Sequence, residues 1–181
     1  IRSPASVEFT RVVAPGSGSY QESVGPSACF QGGAYVALAD PTVIGGNTID
    51  PTLSQDVAGT QAYNRGEPAF IRLEDSDQNL DYQVVDVTVV TITNPTRGES
   101  EIVRLSETGL DTGIFAGYIP TVGAAAISGD CVLQAAPDST LRVSYTDPAD
   151  GTDVAVALAT LDPVQRVFES RTGAPVDGAE I

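Results

Sequence analysis

Histidine, lysine, tryptophan and methionine are all absent from the 181 residues of this chain, and its nine basic residues are all arginine. Without histidine there is no Ser-His-Asp or Cys-His catalytic pair and no imidazole ligand for a catalytic zinc ion. Without lysine there is no Schiff-base nucleophile, no P-loop lysine for phosphate and no Lys-Asn isopeptide crosslink. The enzyme classes that remain use carboxylates alone, and we expect no catalytic activity.

Positive charge is scarce as well, since 24 acidic residues stand against nine basic ones and the formal net charge is −15. Phosphate backbones and anionic membrane surfaces are recognised by basic patches, so neither is an expected partner. No apolar run approaches the roughly 20 residues of a membrane-spanning helix, and we expect no membrane insertion. Hydrophobic residues make up 41% of the chain, which predicts a globular protein with a buried core.

Only two cysteines are present, Cys29 and Cys131, and they do not form a C-x-x-C motif. A metal or redox motif of cysteines is therefore not indicated. An even count in an acidic chain rich in glycine and threonine favours one disulfide in an oxidising compartment, with two separate buried thiols as the alternative. The disulfide reading predicts a secreted or cell-surface protein.

Short segments with alternating or β-branched residues predict strands along most of the chain, separated by turns of Gly, Pro, Asn and Asp. The strongest is 84–93, VVDVTVVTIT, with 99–105 as its hairpin partner. Residues 14–33 and 41–65 show no sustained period and predict long loops, with Tyr63 as a candidate anchor for a partner. About eight strands and no amphipathic helix predict an all-β, antiparallel β-sandwich with long N-terminal loops.

The segment 66–81, GEPAFIRLEDSDQNLD, places potential metal ligands at every second position after a predicted strand. These residues are Asp75, Asp77, Asn79 and Asp81. Hard cations such as Ca²⁺ take about six to eight oxygen ligands from carboxylates, amides and carbonyls, and this run supplies several from one loop. We therefore expect a calcium-stabilised loop.

An EF-hand is not expected here, because Leu80 stands where that loop requires glycine and no helix pattern follows. The alternative to a metal site is a solvated polar turn, since Asp and Asn are common turn residues. A second acidic cluster, Asp147, Asp150 and Asp153, would lie beside the first loop if both occupy the same end of the sandwich.

Four phrases carry a resemblance to known proteins: GEPAFIRLEDSDQNLD, DVTVVTIT, LSETGLDTGIFAGYIPT and LRVSYTD. Together they resemble an Ig-like β-sandwich repeat of very large secreted and surface-anchored bacterial proteins, over about residues 66–160. The most distinctive part is ETG-x-x-TG-x-F, from Glu107 to Phe115. The resemblance implies a non-catalytic spacer or adhesive module, and it implies the acidic loop as the metal site, with Glu107, Asp111 and Asp147 as weaker candidates.

The domain organisation expected is one sandwich over residues 1–163, with an irregular N-terminal arm, and a linker and truncated hairpin over 164–181. The final segment, VFESRTGAPVDGAEI at 167–181, resembles the opening hairpin of a carboxypeptidase regulatory-like domain. We expect the chain to be a piece of a longer polypeptide whose neighbouring domains are its partners.

Three functions follow from these observations. The leading one is a non-catalytic structural or adhesive module of a large bacterial extracellular or cell-surface protein that contacts surface glycans or proteins. The second is a carbohydrate-binding module, whose aromatic platform could use only Tyr20, Tyr35, Tyr63, Tyr82, Tyr118 and Tyr145 because tryptophan is absent. The third is a carboxylate-only glycoside hydrolase, which requires two acids about 5 to 9.5 Å apart in a cleft.

Overall fold

A computed structural model describes residues 4–16, 18–43 and 45–161 of the chain, and the predicted linker and hairpin at 164–181 lie outside them. This part contains fourteen strands, one short 3-10 helix and no α-helix, so the predicted all-β class is confirmed. None of the described residues forms a helix long and apolar enough to cross a bilayer.

The strands are numbered in chain order. The strands are β1 (Ser6–Val12), β2 (Tyr20–Ser23), β3 (Ala28–Gln31), β4 (Ala34–Ala37), β5 (Ser54–Gly59), β6 (Ala62–Tyr63), β7 (Ala69–Glu74), β8 (Val87–Asn94), β9 (Glu99–Glu107), β10 (Ile114–Ile119), β11 (Thr121–Val122), β12 (Leu133–Gln134), β13 (Thr140–Asp147) and β14 (Asp150–Leu161). The 3-10 helix, Ser76–Gln78, follows β7.

Twelve strands belong to one sheet with the order β2-β5-β1-β7-β10-β9-β8-β13-β14-β6, to which the β3–β4 hairpin is joined through β9. Strands β11 and β12 form a separate parallel pair, and β14 pairs with β6 in parallel, so the sheets are mixed and not purely antiparallel. Strand β1 also comes close to β13 and β14. The large sheet thus folds back on itself around a shared core.

The β8–β9 hairpin shows how the sequence builds this core. Its eight paired positions run from Val87 opposite Ser106 to Asn94 opposite Glu99. Every second residue of β8 is buried and its neighbours are more exposed, as in a strand with one face on the core. The β-branched residues of β8 favour this pleated, half-buried surface, so the predicted hairpin is confirmed.

The larger of two hydrophobic clusters in the described residues is built of aromatic and aliphatic side chains. Burying each large side chain stabilises the fold by about 1.5–3 kcal/mol. Tyr63 belongs to it at 1% exposure, with its ring against Phe9 and its hydroxyl accepting the Phe70 N–H at 3.2 Å. The prediction of Tyr63 as an exposed anchor is therefore wrong, because β6 draws it into the sheet beside β14.

Two predicted loops contain strands. Residues 14–33 carry β2 and β3, and residues 41–65 carry β5 and β6, which raises the strand number above the eight expected. Strand β5 pairs with β1 on one side and with β2 on the other. These short strands form because they pair with distant strands, since their sequences show no alternation of hydrophobic and polar residues.

Three connections meet at one end of the core. The loop after β7 joins the β9–β10 loop through the Asp75 N–H, which donates to the Gly113 carbonyl at 2.9 Å. The Gln78 side chain joins the same loop to Asp147 at the end of β13. We call this region the acidic end, defined by residues 75–81, 107–113 and 147.

Candidate metal centre

Asp75 starts the acidic loop, and its side chain points into the core. It caps the short helix at Ser76–Gln78, and its Oδ1 accepts a hydrogen bond from the Asp77 N–H at 3.0 Å. Aspartate is favoured at a cap because its carboxylate satisfies a backbone donor that the helix leaves free. Its Oδ2 accepts the Tyr145 hydroxyl at 2.6 Å, and only 1% of the residue is exposed. The capping turn therefore buries the first carboxylate of the loop.

Asp147 is the second buried carboxylate of the acidic end, with 2% of the residue exposed. Its Oδ1 accepts the Gln78 side-chain N–H at 2.9 Å and the Ala149 N–H at 2.7 Å, whereas its Oδ2 is buried without a hydrogen-bond partner. Burial raises the pKa of Asp75; the hydrogen bond from Tyr145 opposes that rise and the charge of Asp147 adds to it. Two acidic groups thus share a region with little solvation.

Asn79 brings an amide to the same end. Its Nδ2 donates to Asp111 Oδ1 in the β9–β10 loop at 2.6 Å. Its Oδ1 is buried and has no hydrogen-bond partner. Leaving a buried acceptor without a donor costs about 1–3 kcal/mol. The unpaired oxygens of Asn79 and Asp147 are therefore two acceptors that a bound cation would satisfy.

Asp77 and Asp81 lie nearer to solvent. Asp77 is half-buried and Asp81 is exposed. The Asp81 Oδ1 accepts the Gln83 N–H at 2.9 Å, and Asp86 Oδ2 accepts the N–H groups of Leu80 and Asp81 at 2.6 and 2.9 Å. The far end of the loop is thus fixed by turn hydrogen bonds, and the Asp81 side chain belongs to its own turn.

The four predicted ligands are therefore not equivalent. The structure places Asp75 inside, Asn79 directly after the helix residue that contacts Asp147, and Asp81 in a turn on the outside. Across the described ranges, no three carboxylates of the acidic end lie within 4.8 Å of one another. The oxygens gathered here are instead a mixture of carboxylate and amide groups from separate connections.

Glu107 shapes this end through backbone contacts. It is 3% exposed, and its Oε1 accepts the N–H groups of Thr112 and Gly113 at 2.7 and 2.8 Å. Its Oε2 accepts the Asp86 N–H at 3.3 Å. Both oxygens are engaged by backbone donors, so Glu107 holds the β9–β10 loop against the acidic loop. In the ETG-x-x-TG phrase, the first residue thus closes the loop by accepting hydrogen bonds from the last two.

The donor set of the acidic end fits a hard divalent cation. Such ions take oxygen ligands, and Ca²⁺ accepts irregular sets that include amides and water. Ion pairs in the part of the chain described here are made by Arg11 and Arg72, and none reaches Asp75 or Asp147. The acidic-end residues with buried oxygens that would hold the ion are Asp75, Asn79 and Asp147, and Asp111 contacts Asn79.

The predicted disulfide is confirmed. Cys29 of β3 is bonded to Cys131, with a Cα–Cα distance of 5.6 Å and a sequence separation of 102. Cys29 is fully buried, and the neighbouring Gln31 side chain donates to the Asp130 carbonyl at 3.3 Å. The bond therefore fastens the β3–β4 hairpin to the loop before β12.

Two further acids, Glu99 and Glu101, were missed by sequence reasoning. Both are almost completely buried on the inner face of β9, at the end opposite Glu107. The alternation E-S-E-I-V-R-L could have revealed their burial. A strand places residues 99, 101, 103 and 105 on one face, and the last two, Val103 and Leu105, are hydrophobic. Acidic residues at the core-facing positions of a strand indicate a buried polar site.

Three cavities in the described part of the chain contain no paired acids, and the largest of them, about 630 Å³, has Glu8 as its acidic residue. A cavity of about 370 Å³ is lined by Arg11, Val43, Glu67 and Phe70 among others. Its acidic residue, Glu67, accepts a hydrogen bond from the Arg11 guanidinium at 2.6 Å. A third cavity, of about 220 Å³, has Asp40 as its acidic residue. None of the three offers the two opposed carboxylates that glycoside hydrolysis requires.

The chain matches no known family model and no curated protein.

Proposed function

We propose that this chain is a non-catalytic structural or adhesive module of a large bacterial extracellular or cell-surface protein, folded as an Ig-like β-sandwich and stabilised by calcium. The observation that carries the proposal is the buried pair Asp75 and Asp147, with unpaired oxygens on Asp147 and Asn79. The all-β fold, the disulfide and the absence of histidine and lysine support a stable extracellular spacer. Its partners are neighbouring domains of the same polypeptide.

A cation is needed here for an electrostatic reason. A buried carboxylate is strongly destabilising unless it is paired or well hydrogen-bonded. Tyr145 and the Asp77 N–H satisfy Asp75, but Asp147 keeps one oxygen without any donor. Calcium would supply positive charge to both acids and would join three connections that are distant in sequence. Such a joint would stiffen the acidic end of the module.

Calcium is expected to raise the stability of the metal-stripped protein. Ligation that occurs only in the folded state adds about 2.7 kcal/mol at a hundredfold excess over the dissociation constant. Magnesium is expected to be a poor substitute, because it requires strict octahedral geometry and loses water reluctantly. Urea unfolding with and without each ion, up to millimolar concentrations, measures the effect.

Two variants separate ligation from folding. Asp147→Asn keeps the shape of the side chain and removes one buried charge, so it should reduce the calcium response by the contribution of this site without destabilising the metal-free protein. Asp77→Ala should also weaken the response while keeping the fold, because it removes a negative charge beside the proposed ligands. Asp138→Asn is the matched control, because Asp138 is exposed and its φ of +63° suits asparagine. A calcium shift as large in Asp147→Asn as in wild type would contradict this site.

A specific observation favours the carbohydrate-binding alternative. Phe30 and Tyr35 are each 38% exposed on the β3–β4 hairpin, with ring centroids 5.2 Å apart, and Arg104 lies 5.0 Å from the centre of the Tyr35 ring. Exposed rings next to a hydrogen-bond donor provide a surface on which a sugar ring can stack. Tyr63, Tyr118 and Tyr145, in contrast, are buried and cannot serve.

Glycan binding tests this second function. If it is correct, wild type binds defined sugars on a glycan array and Tyr35→Ala loses that binding. Tyr82→Ala is the control, since Tyr82 is 68% exposed and lies in the turn after the acidic loop. An array without any binding would leave the structural module as the function and remove the alternative.

A further inference from the structure

A second group of acids lies at the other end of β9. Glu99 and Glu101 are 2% and 0% exposed, and Asp130, in the loop that carries Cys131, is half-buried. Each offers one carboxylate oxygen, and these three oxygens lie within 4.8 Å of one another. Glu99 and Glu107 are eight positions apart in β9, which corresponds to about 26 Å along a strand. This group is therefore separate from the acidic end.

The backbone of the disulfide loop holds one of these carboxylates in place. The N–H groups of Gly129, Asp130 and Cys131 donate to Glu101 at 2.7, 3.3 and 3.0 Å. Gly129 and Cys131 have φ values of +77° and +68°, which turns their successive N–H groups toward one acceptor as in an anion-binding nest. The nest fixes Glu101, but it supplies partial charges to only one of three acids.

Among the described residues, no arginine forms an ion pair with this group. The ion pairs made by the described residues leave out Glu99, Glu101 and Asp130. Three acids so close together repel one another unless a cation or protons intervene.

An independent observation points to a cation. Asn94 is fully buried and stands directly opposite Glu99 in the β8–β9 pairing. Its Nδ2 donates to the Gln134 carbonyl at 2.8 Å, and the Gln134 N–H donates to Glu99 Oε2 at 2.8 Å, so the amide and the carboxylate meet the same residue. The Asn94 Oδ1 has no hydrogen-bond partner. A neutral amide oxygen is thus left free beside a cluster of acids.

We propose that Glu99, Glu101, Asp130 and Asn94 form a second site for a divalent cation of the calcium class. All four groups present oxygen, and the half-buried Asp130 leaves one side of the site open to solvent, where water would complete the shell. The ion would tie the hairpin end of β8–β9 to the loop that carries the disulfide. The two sites would then brace opposite ends of β9.

Binding stoichiometry tests this proposal on the whole, oxidised, metal-stripped chain. Titration calorimetry with Ca²⁺ is expected to give two ions for wild type, one for Asp147→Asn and one for Asp130→Asn. Asparagine at 130 can still accept the Val132 N–H that Asp130 Oδ1 now accepts at 3.0 Å, so the loop should keep its shape. Since the loss of an outer-shell partner alone weakens metal sites 10–100-fold, loss of a direct ligand should weaken this site by at least about tenfold.

A second variant and a local readout complete the test. Glu99→Gln should weaken the same site, because its amide oxygen can keep the Gln134 contact but loses the charge. Calcium should slow hydrogen exchange of the amides at 129–131 in wild type and not in Asp130→Asn, with Asp138→Asn behaving as wild type. One ion lost only in Asp147→Asn would overturn the second site and leave the acidic end intact. One ion lost only in Asp130→Asn would support the second site and refute the first.

Discussion

Removal of the Cys29–Cys131 disulfide is expected to lower the free energy of unfolding by about 2–5 kcal/mol. The bond joins residues separated by 102 positions, and a crosslink over a loop of this length removes much of the conformational freedom of the unfolded chain. It also fastens the nest loop around Glu101, whose carboxylate takes three backbone N–H groups from residues 129–131. Losing the bond should therefore loosen that loop more than the rest of the fold.

Urea unfolding of the double variant Cys29→Ala and Cys131→Ala measures this loss. Alanine keeps the β-carbon, so the backbone at position 131, with its φ of +68°, carries the same strain as in wild type. Reduced wild type should unfold at the same urea concentration as the double variant, and the reducing agent should leave the double variant unchanged. A difference below about 1 kcal/mol would show that the folded loop, and not the crosslink, carries the stability.

Strands with a strong period were predictable from the sequence. The β8–β9 hairpin has alternating faces, and its two strands were expected close to their observed positions. Strands such as β5, with the sequence SQDVAG, have no such period and form because they pair with two neighbours. Pairing between distant segments is a property of the whole fold, so a local pattern does not reveal it.

The position of the acidic loop could be predicted from the sequence, but the arrangement of its side chains could not. The alternate spacing from Asp75 to Asp81 predicted that all four side chains supply ligands from one loop. The structure instead starts a 3-10 helix at Ser76, and capping turns Asp75 inward while Asp81 enters a later turn. The other aspartates at this end are Asp111 and Asp147, which are distant from the acidic loop in sequence. Local hydrogen bonds thus replaced the expected period of two.

Burial was the hardest property to infer for polar residues. Glu99, Glu101 and Glu107 are all buried on β9, on either side of Val103 and Leu105. Acidic residues are rarely buried without partners, so composition alone places them on the surface. Backbone donors from the loops at 112–113 and 129–134 change that expectation, and those loops are positioned only by tertiary structure.

Replacing Gly25 with alanine is expected to destabilise the protein by about 2–5 kcal/mol. Gly25 has a φ of +74°, and a β-carbon there would fall on the backbone of Ala116, 2.6 Å from its carbonyl carbon. Positive φ costs an L-residue about 1–2 kcal/mol, and overpacking against an inner strand adds about 1–3 kcal/mol. Backbone of β10 cannot move aside without disturbing its pairing with β7.

Gly66→Ala provides the matched control for this effect. Gly66 has a φ of +81°, but a β-carbon there would meet nothing within 4 Å. Its substitution should therefore cost only the backbone term, about 1–2 kcal/mol, and the difference between the two variants isolates the contact with Ala116. Equal urea midpoints for the two variants would mean that the chain around Gly25 moves away from β10 at little cost, contrary to the packing described here. A larger loss of stability for Gly25→Ala would show that the chain at Gly25 and the backbone of Ala116 cannot move apart at little cost.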